Sequence, residues 1–292
     1  MTQLVNRQNR VSAPVVLSIA GFDPSSGAGI TADIKTIAAH GCYGVTCITA
    51  LTVQTTQGVR AVEAVKPEIV RDTLRELAAD LPVSAVRIGM LGSAAVVEAV
   101  VDFLESFRPL NVVLDPVVRS SSGAELLEPA GVEILKRRML PLVSVVTPNV
   151  DEVVVLAGHP KADPVAAGHL DPDAEPRLRT AVAAAETMLE GGAKAIVVTG
   201  GHLEKPVDVL LWRPEGKLQV KTFPSRRIES CSTHGTGCAF AASLACSLAL
   251  GASLPEAVAR AQEYVFRAIQ TAEPLGQGTG PINHLWPLQG RP

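Results

Sequence analysis

The stretch Val15-Val16-Leu17-Ser18-Ile19-Ala20-Gly21, followed by a glycine-rich loop and by residues 29–40, indicates the fold class of this chain. The first part is short, apolar and rich in β-branched residues, which predicts a buried β-strand. Residues 29–40 have apolar side chains at helical spacing and are followed by Gly41, which predicts an α-helix. The predicted unit is thus a strand, a loop and a helix in succession.

The same unit recurs along the chain. Further strands are predicted at residues 45–53, 85–89, 111–114, 143–146 and 193–199, and helices at 67–80, 93–107, 129–139, 177–190, 237–250 and 254–272. Parallel neighbours need crossover connections, so the alternation predicts an α/β fold with a central, mostly parallel sheet and helices on both faces. Residues 207–212 and 218–223 predict an antiparallel hairpin at one edge, and residues 159–176 an exposed loop.

The composition is typical of one large α/β domain. The chain has 292 residues, of which 47% are hydrophobic and 19% charged, and its net charge of -3 gives no basic patch for nucleic acid. We expect a disordered polar tail over residues 1–11 and a single domain over residues 12–292. The tail lacks an apolar core and no window reaches transmembrane length, so we expect a cytoplasmic protein that does not bind membranes.

Thr233-His234-Gly235-Thr236-Gly237-Cys238 leads into an alanine- and leucine-rich run that ends at Gly251. This pattern predicts a tight loop that opens a buried helix, where free backbone N–H groups and the helix dipole favour an anion. A thiol at a helix start is expected to have a lowered pKa, so Cys238 could take a proton from a hydroxyl group. The alternative is a small turn that merely starts a core helix, with Cys238 as a packed residue.

Three further side chains are candidates for binding a small molecule. Asp33, one turn into the first predicted helix, could accept hydrogen bonds from an amine or hydroxyl group, or could complement the helix dipole. Gln54 closes an apolar strand, and its amide could pair with the edge of a heterocycle or simply begin a loop. Met90 could line an apolar wall or fill the core.

Acidic side chains at two predicted strand ends are candidate metal ligands. Asp115 directly follows an apolar strand, and Glu152 comes three residues after Asn149 at the end of another. Carboxylates there could hold Mg²⁺ against the phosphates of a nucleotide. The alternatives are a turn residue at Asp115, a helix-start acid at Glu152 and a helix N-cap at Asn149. His202 and His234 are candidates for polar contacts.

Several motifs in this chain match, in order, the pattern of one known family. They are Ala20-Gly21-Phe22-Asp23-Pro24-Ser25-Ser26-Gly27-Ala28-Gly29-Ile30, Asp33-Ile34-Lys35-Thr36, Ile48-Thr49-Ala50-Leu51 with Gln54, Ile88-Gly89-Met90-Leu91, Leu114-Asp115-Pro116-Val117, Thr147-Pro148-Asn149, Gly200-Gly201-His202 and Ser232-Thr233-His234-Gly235-Thr236-Gly237-Cys238. Together they resemble the hydroxymethylpyrimidine/phosphomethylpyrimidine kinases of thiamine biosynthesis. The resemblance implies a ribokinase-like fold and two successive MgATP-dependent phosphorylations, of 4-amino-5-hydroxymethyl-2-methylpyrimidine and then of its monophosphate.

The resemblance also implies roles for single residues. Cys238 would act as the base for the substrate hydroxyl, and the anion hole for the transferring phosphoryl group would be formed by Gly235, Thr236 and Gly237. The other implied roles are pyrimidine binding by Gly21, Asp33, Gln54 and Met90, Mg²⁺ binding by Asp115 and Glu152, and nucleotide binding by Asn149, Thr199, Gly201 and His202. The implied cofactors are ATP and Mg²⁺, and the implied assembly is a homodimer.

The chain departs from the family pattern at three places. Thr199 stands where the family commonly has lysine, residues 119–123 replace a loop that often carries lysine, and Ser26 replaces a frequent glycine. Both lysines could neutralise phosphate charge, so the second phosphorylation, whose substrate is already anionic, is the step that we expect to be affected most. Arg119 could compensate for one of them.

Three other functions remain open from the sequence. The nearest is a pyridoxal-type vitamin kinase on the same fold, and the second is a non-catalytic protein that binds the pyrimidine. The third is a cysteine hydrolase with Cys238 as its nucleophile, which would need an activating histidine. His234 is close to Cys238 in sequence, but the sequence offers no residue to orient it.

Overall fold

The structure, a computed structural model, describes residues 13–119, 123, 125–158 and 164–289. The expected tail over residues 1–11 and the serines at 120–122 lie outside the described residues. The strands of the described part are β1 (Val15–Phe22), β2 (Tyr43–Thr55), β3 (Gly58–Ala64), β4 (Val83–Ile88), β5 (Val112–Leu114), β6 (Val145–Val146), β7 (Ala195–Val198), β8 (Val207–Trp212) and β9 (Gln219–Pro224). Its helices are α1 (Gly29–Ala39), α2 (Pro67–Asp80), α3 (Ala94–Phe107), α4 (Pro129–Ile134), α5 (Glu152–Ala157), α6 (Pro176–Glu190), α7 (Thr236–Ala249) and α8 (Leu254–Gln270).

All of these strands lie in one sheet, in the order β3-β2-β1-β4-β5-β6-β7-β8-β9. The six strands from β2 to β7 in this order pair in parallel, which confirms the predicted α/β fold. The predicted hairpin of β8 and β9 is present and continues the sheet antiparallel to β7. The carboxyl ends of β1, β4, β5, β6 and β7 therefore meet along one edge of the sheet, where α/β folds bind their ligands.

The opposite edge strand, β3, is absent from the sequence-based prediction. It pairs antiparallel with β2 through a tight turn, and its residues are only partly buried or exposed. A half-exposed strand of mixed polarity gives no continuous apolar run, so it is recognised only by the backbone hydrogen bonds that it makes with its neighbour.

The helices cover both faces of the sheet, as predicted. Successive strand residues point to opposite faces, so Leu17 and Ile19 pack in one apolar cluster while Val16 packs in the other. The first cluster includes buried residues of α2, α3 and α6, and the second includes buried residues of α1, α7 and α8. Ser93 accepts a hydrogen bond from the N–H of Val96 and caps α3, as its position predicts.

The prediction of an exposed loop over residues 159–176 is wrong for part of that stretch. Residues 159–163 are outside the described part, but Ala166–His169 form a short 3-10 turn whose Ala166 is fully buried. Leu170 is also buried in the core, and the Ala166 N–H donates to the buried Glu186 carboxylate over 2.8 Å. The buried side chains of Ala166 and Leu170 anchor this segment, although the segment is rich in polar residues. Its overall composition therefore does not reveal that part of it is buried.

No helix in the described part of the chain is both long enough and apolar enough to cross a membrane.

Candidate active site

A cavity of about 1410 Å³ opens at the carboxyl ends of the central parallel strands. Thirteen of the fourteen residues that the sequence analysis assigned to a site line this cavity; they are Gly21, Gln54, Met90, Asp115, Asn149, Glu152, Thr199, Gly201, His202, Gly235, Thr236, Gly237 and Cys238. Asp33 does not line it. The structure thus brings together motifs that are spread over more than 200 positions of the sequence.

The loop at the start of α7 has the geometry expected of an anion-binding site. Gly235 has a φ of 88°, in the left-handed region, and directly precedes the first helical residue, Thr236. A β-carbon on Gly235 would overlap the carbonyl oxygen of Gly27, so the loop before α7 packs directly on the loop after β1. The first backbone N–H groups of α7 have no partner within the helix and open into the cavity together with Gly237 and Cys238.

The loop after β1 is held by Asp23, which the sequence analysis did not select as a site residue. The Asp23 carboxylate accepts hydrogen bonds from the Ser25 N–H at 2.8 Å, the Ser25 hydroxyl at 2.7 Å and the Ala28 N–H at 2.9 Å, and it lies 2.8 Å from His234 Nε2. Burial raises the pKa of Asp23, but its hydrogen bonds from His234 and Ser25 outweigh burial and hold the pKa below its usual value. Asp23 therefore joins the two glycine-rich loops as a carboxylate.

Gln54, Met90 and Gly21 form one end of the cavity. The Gln54 amide lies 3.2 Å from His234 Nε2, and its oxygen accepts a hydrogen bond from the Thr52 hydroxyl at 3.2 Å. Met90 is buried and its sulfur packs against the face of Gly21 where a side chain would otherwise be. A flat heterocycle would find an apolar wall and a fixed amide here, which supports the predicted substrate contacts.

Neither of the two sequence-based interpretations of Asp33 describes its surroundings. Asp33 is fully buried beyond the first turn of α1, so it does not complement the helix dipole, and it lies behind the cavity wall. Its Oδ2 accepts a hydrogen bond from the Ser18 hydroxyl at 2.6 Å and lies 3.1 Å from Nη1 of Arg87. Burial raises the pKa of Asp33 to about 6, although the Arg87 guanidinium opposes this change.

The expectation of a lowered pKa at Cys238 is wrong. Burial raises the pKa of Cys238 to about 11; Arg87 and a hydrogen bond from the Gly29 N–H lower it, and Asp115 and Asp33 add to the increase. The sequence predicts the helix start but not the two carboxylates that tertiary packing brings close to the sulfur. With this pKa the Cys238 thiol is protonated at neutral pH.

Asp115 and Glu152 form the candidate metal site. Burial raises the pKa of Asp115, although its ion pair with Arg87, at 2.8 Å, opposes this change. Burial and the nearby Asp115 raise the pKa of Glu152 to about 8. Two carboxylates that disfavour each other's ionisation suit a divalent cation, because a cation between them removes the repulsion. No cluster of three or more metal-ligating side chains occurs in the described part of the chain, so a metal would need ligands from its substrates as well.

Asn149 has the N-cap role that the sequence left open. Its side-chain oxygen accepts hydrogen bonds from the N–H groups of Asp151 and Glu152, both at 2.9 Å. The Glu152 carboxylate in turn accepts one from the Asn149 N–H at 3.0 Å, which is the reciprocal pattern of a capping box. The cap fixes Glu152 at the cavity wall, and Asn149 itself lines the cavity.

The far end of the cavity contains the predicted nucleotide residues. Thr199 is half-buried, Gly201 and His202 are exposed, and the preceding Gly200 is buried. The Gly200 N–H donates to Asp208 Oδ1 over 2.9 Å, and Asp208 Oδ2 accepts from the Gln262 amide over 2.9 Å. Asp208, which the sequence analysis did not select, thus fixes this loop. Arg119, Arg226 and Arg227 line the cavity as well and supply positive charge near the two expected lysine positions.

The sequence analysis also did not select Arg87, although the sequence contains a sign that this residue is unusual. Arg87 is the one charged residue in strand β4, whose other residues apart from Ser84 are apolar, and a charged side chain in a buried strand has to find a partner. It is fully buried and pairs with Asp33 and Asp115. The pattern could have marked Arg87 as unusual, but it could not have named its partners.

The structure also bears on the cysteine hydrolase alternative. Asp23 does orient His234, contrary to the sequence-based expectation, but the hydrogen-bonded partners of the His234 ring among the described residues are Asp23 and Gln54. No such bond joins that ring to Cys238, whose thiol is protonated. A nucleophilic cysteine needs an adjacent base or a lowered pKa, so this arrangement does not suit a hydrolase.

Comparison with known proteins gives a consistent result. The family model described as phosphomethylpyrimidine kinase matches residues 23–283. The hydroxymethylpyrimidine/phosphomethylpyrimidine kinase of Streptomyces coelicolor is 40% identical over 279 residues, which cover 95% of this chain and 97% of that protein. The thiamine biosynthesis bifunctional protein ThiED of Geobacter sulfurreducens is also 40% identical, over 97% of this chain, but the match spans only 54% of that longer protein.

Solved structures show the same fold. The pyridoxal kinase of Bacillus subtilis, solved as an ADP complex, is 31% identical with a TM-score of 0.79 over 94% of this chain and 98% of that one. The phosphomethylpyrimidine kinase of Clostridium difficile is 33% identical with a TM-score of 0.72 over 88% of this chain and 99% of that one. With the family model and the Streptomyces relative, these matches establish that the chain belongs to the phosphomethylpyrimidine kinase family.

Proposed function

We propose that this protein phosphorylates 4-amino-5-hydroxymethyl-2-methylpyrimidine and then its monophosphate with MgATP, and so makes the pyrimidine diphosphate of thiamine biosynthesis. One observation carries the proposal: a single cavity is lined by the helix start with Cys238, by Gln54 and Met90, and by the loop from Thr199 to His202. The strands that contact α7, which are β1, β4 and β5, lie in the sheet between β2, which carries Gln54, and β7, which precedes Thr199. A hydroxyl on a ring held at the first end would point toward the anion-binding loop, and a nucleotide at the other end would bring its terminal phosphate there.

The chain's own residues would act mainly by positioning and by stabilising charge. The backbone N–H groups at Thr236, Gly237 and Cys238 would bind the transferring phosphoryl group, whose negative charge is spread over its outer oxygens. Cys238 would take the proton of the substrate hydroxyl as that group attacks. With a pKa of about 11 even beside Arg87, the Cys238 thiol would have to release its own proton before it could act as a base. A cation bound by Asp115 would favour this release, because the Asp115 carboxylate is one of the charges that raise the pKa of Cys238.

Asp115 and Glu152 would hold the Mg²⁺ ion. Their mutual repulsion, seen in the raised pKa of Glu152 of about 8, fits a cation-binding pair. When bound, Mg²⁺ would neutralise phosphate charge and so favour the approach of the substrate oxygen. Asn149 would fix Glu152, and Thr199, Gly201 and His202 would contact the nucleotide.

The second phosphorylation demands more positive charge than the first, because its substrate is a phosphate. The expected lysines are missing, but Arg119, Arg226 and Arg227 line the cavity. Arg227 donates to the Leu203 carbonyl over 3.1 Å and is thereby held next to the nucleotide loop. We propose that these arginines allow the second step.

A pyridoxal kinase is the second candidate, because solved pyridoxal kinases share this fold closely. Gln54 favours the pyrimidine, since by resemblance pyridoxal kinases do not bind their substrate through that glutamine. Gln54 is already aligned by His234 and Thr52 for contact with a ring edge.

We also propose a cytoplasmic homodimer. Leu51 and Val53 are exposed on β2 near the sheet edge, and a second copy of the chain would remove this apolar surface from water. Light scattering of the purified protein tests the assembly: a monomeric mass at micromolar concentration would contradict it.

The function is tested by incubating purified protein with ATP, Mg²⁺ and the hydroxymethylpyrimidine, and by following both products by mass spectrometry. Pyridoxal replaces the pyrimidine in a parallel reaction, and a reaction without Mg²⁺ serves as a control. We expect the monophosphate and then the diphosphate. Monophosphate alone would contradict the second step, and phosphorylation of pyridoxal but not of the pyrimidine would favour the second candidate.

A further inference from the structure

Arg87 occupies the centre of the molecule and has an unusual environment. It lies on β4 between Val86 and Ile88, and all three side chains are fully buried. The guanidinium lies against the backbone of Gly89, where a β-carbon would overlap its Nη1 and Cζ atoms. The lack of a side chain at Gly89 therefore makes room for the Arg87 head group at the carboxyl end of the strand, beside the cavity.

Three of the residues assigned to catalysis, substrate and metal meet at this guanidinium. Its Nη1 lies 3.1 Å from Asp33 Oδ2 and its Nη2 donates to Asp115 Oδ2 over 2.8 Å. The guanidinium also lies close enough to Cys238 to lower the pKa of its thiol. These three residues come from different parts of the fold: Asp33 from α1, Asp115 from the segment after β5 and Cys238 from α7. They come together only in the folded protein.

We propose that Arg87 is a positioning residue that holds the carboxylates of Asp33 and Asp115 and the thiol of Cys238 in the arrangement required for phosphoryl transfer. This inference rests on the proposed function and deepens it. Arg87 acts through these three side chains: it fixes the thiol of Cys238 relative to the proposed Mg²⁺ ligand Asp115 and to Asp33 behind the pyrimidine site.

The energetics of the network argue against a role in stability alone. A buried ion pair loses most of its attraction to desolvation, and an apolar side chain of similar size is often as stabilising or more so. Ala85, which lies two residues earlier on the same face of β4, packs in an apolar cluster and shows that apolar residues suit this face. An arginine at this position therefore calls for a purpose beyond packing.

The hydrogen bonding of the cluster is incomplete, which points in the same direction. Among the described residues, the buried side-chain nitrogen and oxygen atoms without a hydrogen-bond partner are Asp33 Oδ1, Arg87 Nε and Arg87 Nη1. All three belong to this one cluster. A group of charges selected for stability would satisfy these atoms, whereas one arranged to orient reacting groups can leave them unsatisfied.

The proposal is tested by changing the shape or the position of the Arg87 side chain while its charge is kept. A guanidinium is planar and presents its N–H groups in fixed directions, so Arg87 donates to Asp115 while it lies beside the Asp33 carboxylate and the Cys238 thiol. A lysine ammonium is a point charge on a flexible stem. Arg87→Lys keeps the buried positive charge but cannot span the three partners. Gly89→Ala keeps the arginine and moves its head group, because the new β-carbon takes the space of Nη1.

Arg138→Lys is the matched control. Arg138 also contacts two acids through one guanidinium, with Nη2 at 3.3 Å from Asp102 and 3.1 Å from Glu105, but it lies on the surface away from the cavity. The wild type and the three variants are compared for kcat and KM with the hydroxymethylpyrimidine and MgATP. Pyrimidine binding without nucleotide is measured by calorimetry, and thermal unfolding gives the folded fraction.

We expect Arg87→Lys and Gly89→Ala to lower kcat per folded molecule by about 10- to 100-fold, since small displacements of reacting groups have effects of this size. Pyrimidine binding without nucleotide should weaken much less, and Arg138→Lys should match the wild type throughout. A wild-type kcat in Gly89→Ala, or a loss in Arg87→Lys that disappears after correction for the folded fraction, would overturn the proposal. Failure of the wild type itself to phosphorylate the pyrimidine would instead overturn the proposed function, and this role with it.

Discussion

Two loops at the same edge of the sheet are held in very different ways. The first, residues 23–28 between β1 and α1, is fixed from inside by Asp23 and from outside by His234. His284 adds a further contact, with Nε2 at 3.1 Å from the Gly27 carbonyl oxygen. The second, residues 199–202 after β7, is fixed at its start, where the Thr199 N–H donates to the Pro148 carbonyl over 2.9 Å and the Gly200 N–H donates to Asp208, while Gly201 and His202 are exposed.

The difference matches what each end of the cavity has to do in a kinase. The first loop packs on the start of α7, where a hydroxyl and a phosphoryl group must meet in one geometry, and prearranged groups lower the barrier there. In the proposed function the second loop borders the part of the cavity at which a nucleotide enters and leaves, so looser fixation is tolerated. Changes near the first loop should therefore act on kcat, and changes near the second on the KM for ATP.

The largest expected effect is that of Cys238→Ala, which removes the proton acceptor at the fixed end. Turnover should fall by about 10² to 10⁴, the usual contribution of one positioned acid or base. Calorimetry should show that pyrimidine binding is retained. Cys231→Ala is the control, because Cys231 is an exposed free thiol. Turnover by Cys238→Ala within a few-fold of the wild type would contradict the role of the thiol.

Gly235→Ala tests the packing of the two loops at the fixed end. The new β-carbon would overlap the Gly27 carbonyl, and alanine at a φ of 88° is strained, so the start of α7 must shift. We expect kcat to fall by about 100-fold, measured by steady-state kinetics.

The matched change in the second loop is Gly201→Ala, where the added methyl group meets no atom within 4 Å. Its kcat should stay within about twofold of the wild type, as for other substitutions at open sites. If Gly235→Ala and Gly201→Ala lost kcat equally, the two loops would not differ in how strictly they hold the reacting groups.

Asp208→Ala tests how the second loop, residues 199–202, is fixed. The substitution leaves the buried Gly200 N–H and the Gln262 amide without their acceptor, which costs about 1–3 kcal/mol for a buried group. We expect the KM for ATP to rise by about 10-fold with little change in kcat. The exposed Asp80→Ala serves as control. A fall in kcat at unchanged KM would show that this loop, too, belongs to the reacting geometry.

The last prediction, for His284→Gln, concerns how the stability of the protein depends on pH rather than turnover. Burial lowers the pKa of His284 from 6.5 to about 4. The unfolded chain therefore binds a proton between these pH values while the folded protein does not, so stability rises with pH across this window and is lost as pH falls toward 4. A shift of this size corresponds to on the order of 3 kcal/mol.

The measurement is urea unfolding at pH 7 and at about pH 4.5, with a matched His169→Gln variant at an exposed position. Relative to wild type, His284→Gln should lose less stability on acidification. If the stability of the wild type and of His284→Gln depended on pH in the same way, His284 would not be the group responsible.

The candidate site was predictable to the extent that its residues lie in short motifs. Cys238, Gln54 and Asp115 each follow a strand or open a helix that the local pattern already indicates, so their convergence at one edge follows from parallel topology. Arg87 and Asp208 could not be assigned in this way. Each owes its role to partners on other elements, and no spacing within the chain encodes those contacts.

The pKa of Cys238 shows the same limit. The sequence places the thiol at a helix start, which by itself lowers a thiol pKa. Only the packing of α1 and β5 around α7 brings Asp33 and Asp115 close enough to raise it, together with the burial that is the largest cause. The position at a helix start predicted a lowered pKa for Cys238. Burial and the charges of Asp33 and Asp115 raise this pKa by more than the helix start lowers it.

The sequence by itself determined the strand and helix alternation, the parallel sheet and the family, because apolar periodicity, glycine positions and short motifs are local properties. The tertiary structure alone decided the antiparallel pairing of β3, the burial of residues near 166–170, and the Asp33, Arg87 and Asp115 cluster. These features depend on hydrogen bonds, burial and charge between residues far apart in the chain, and such energies exist only once the chain has folded.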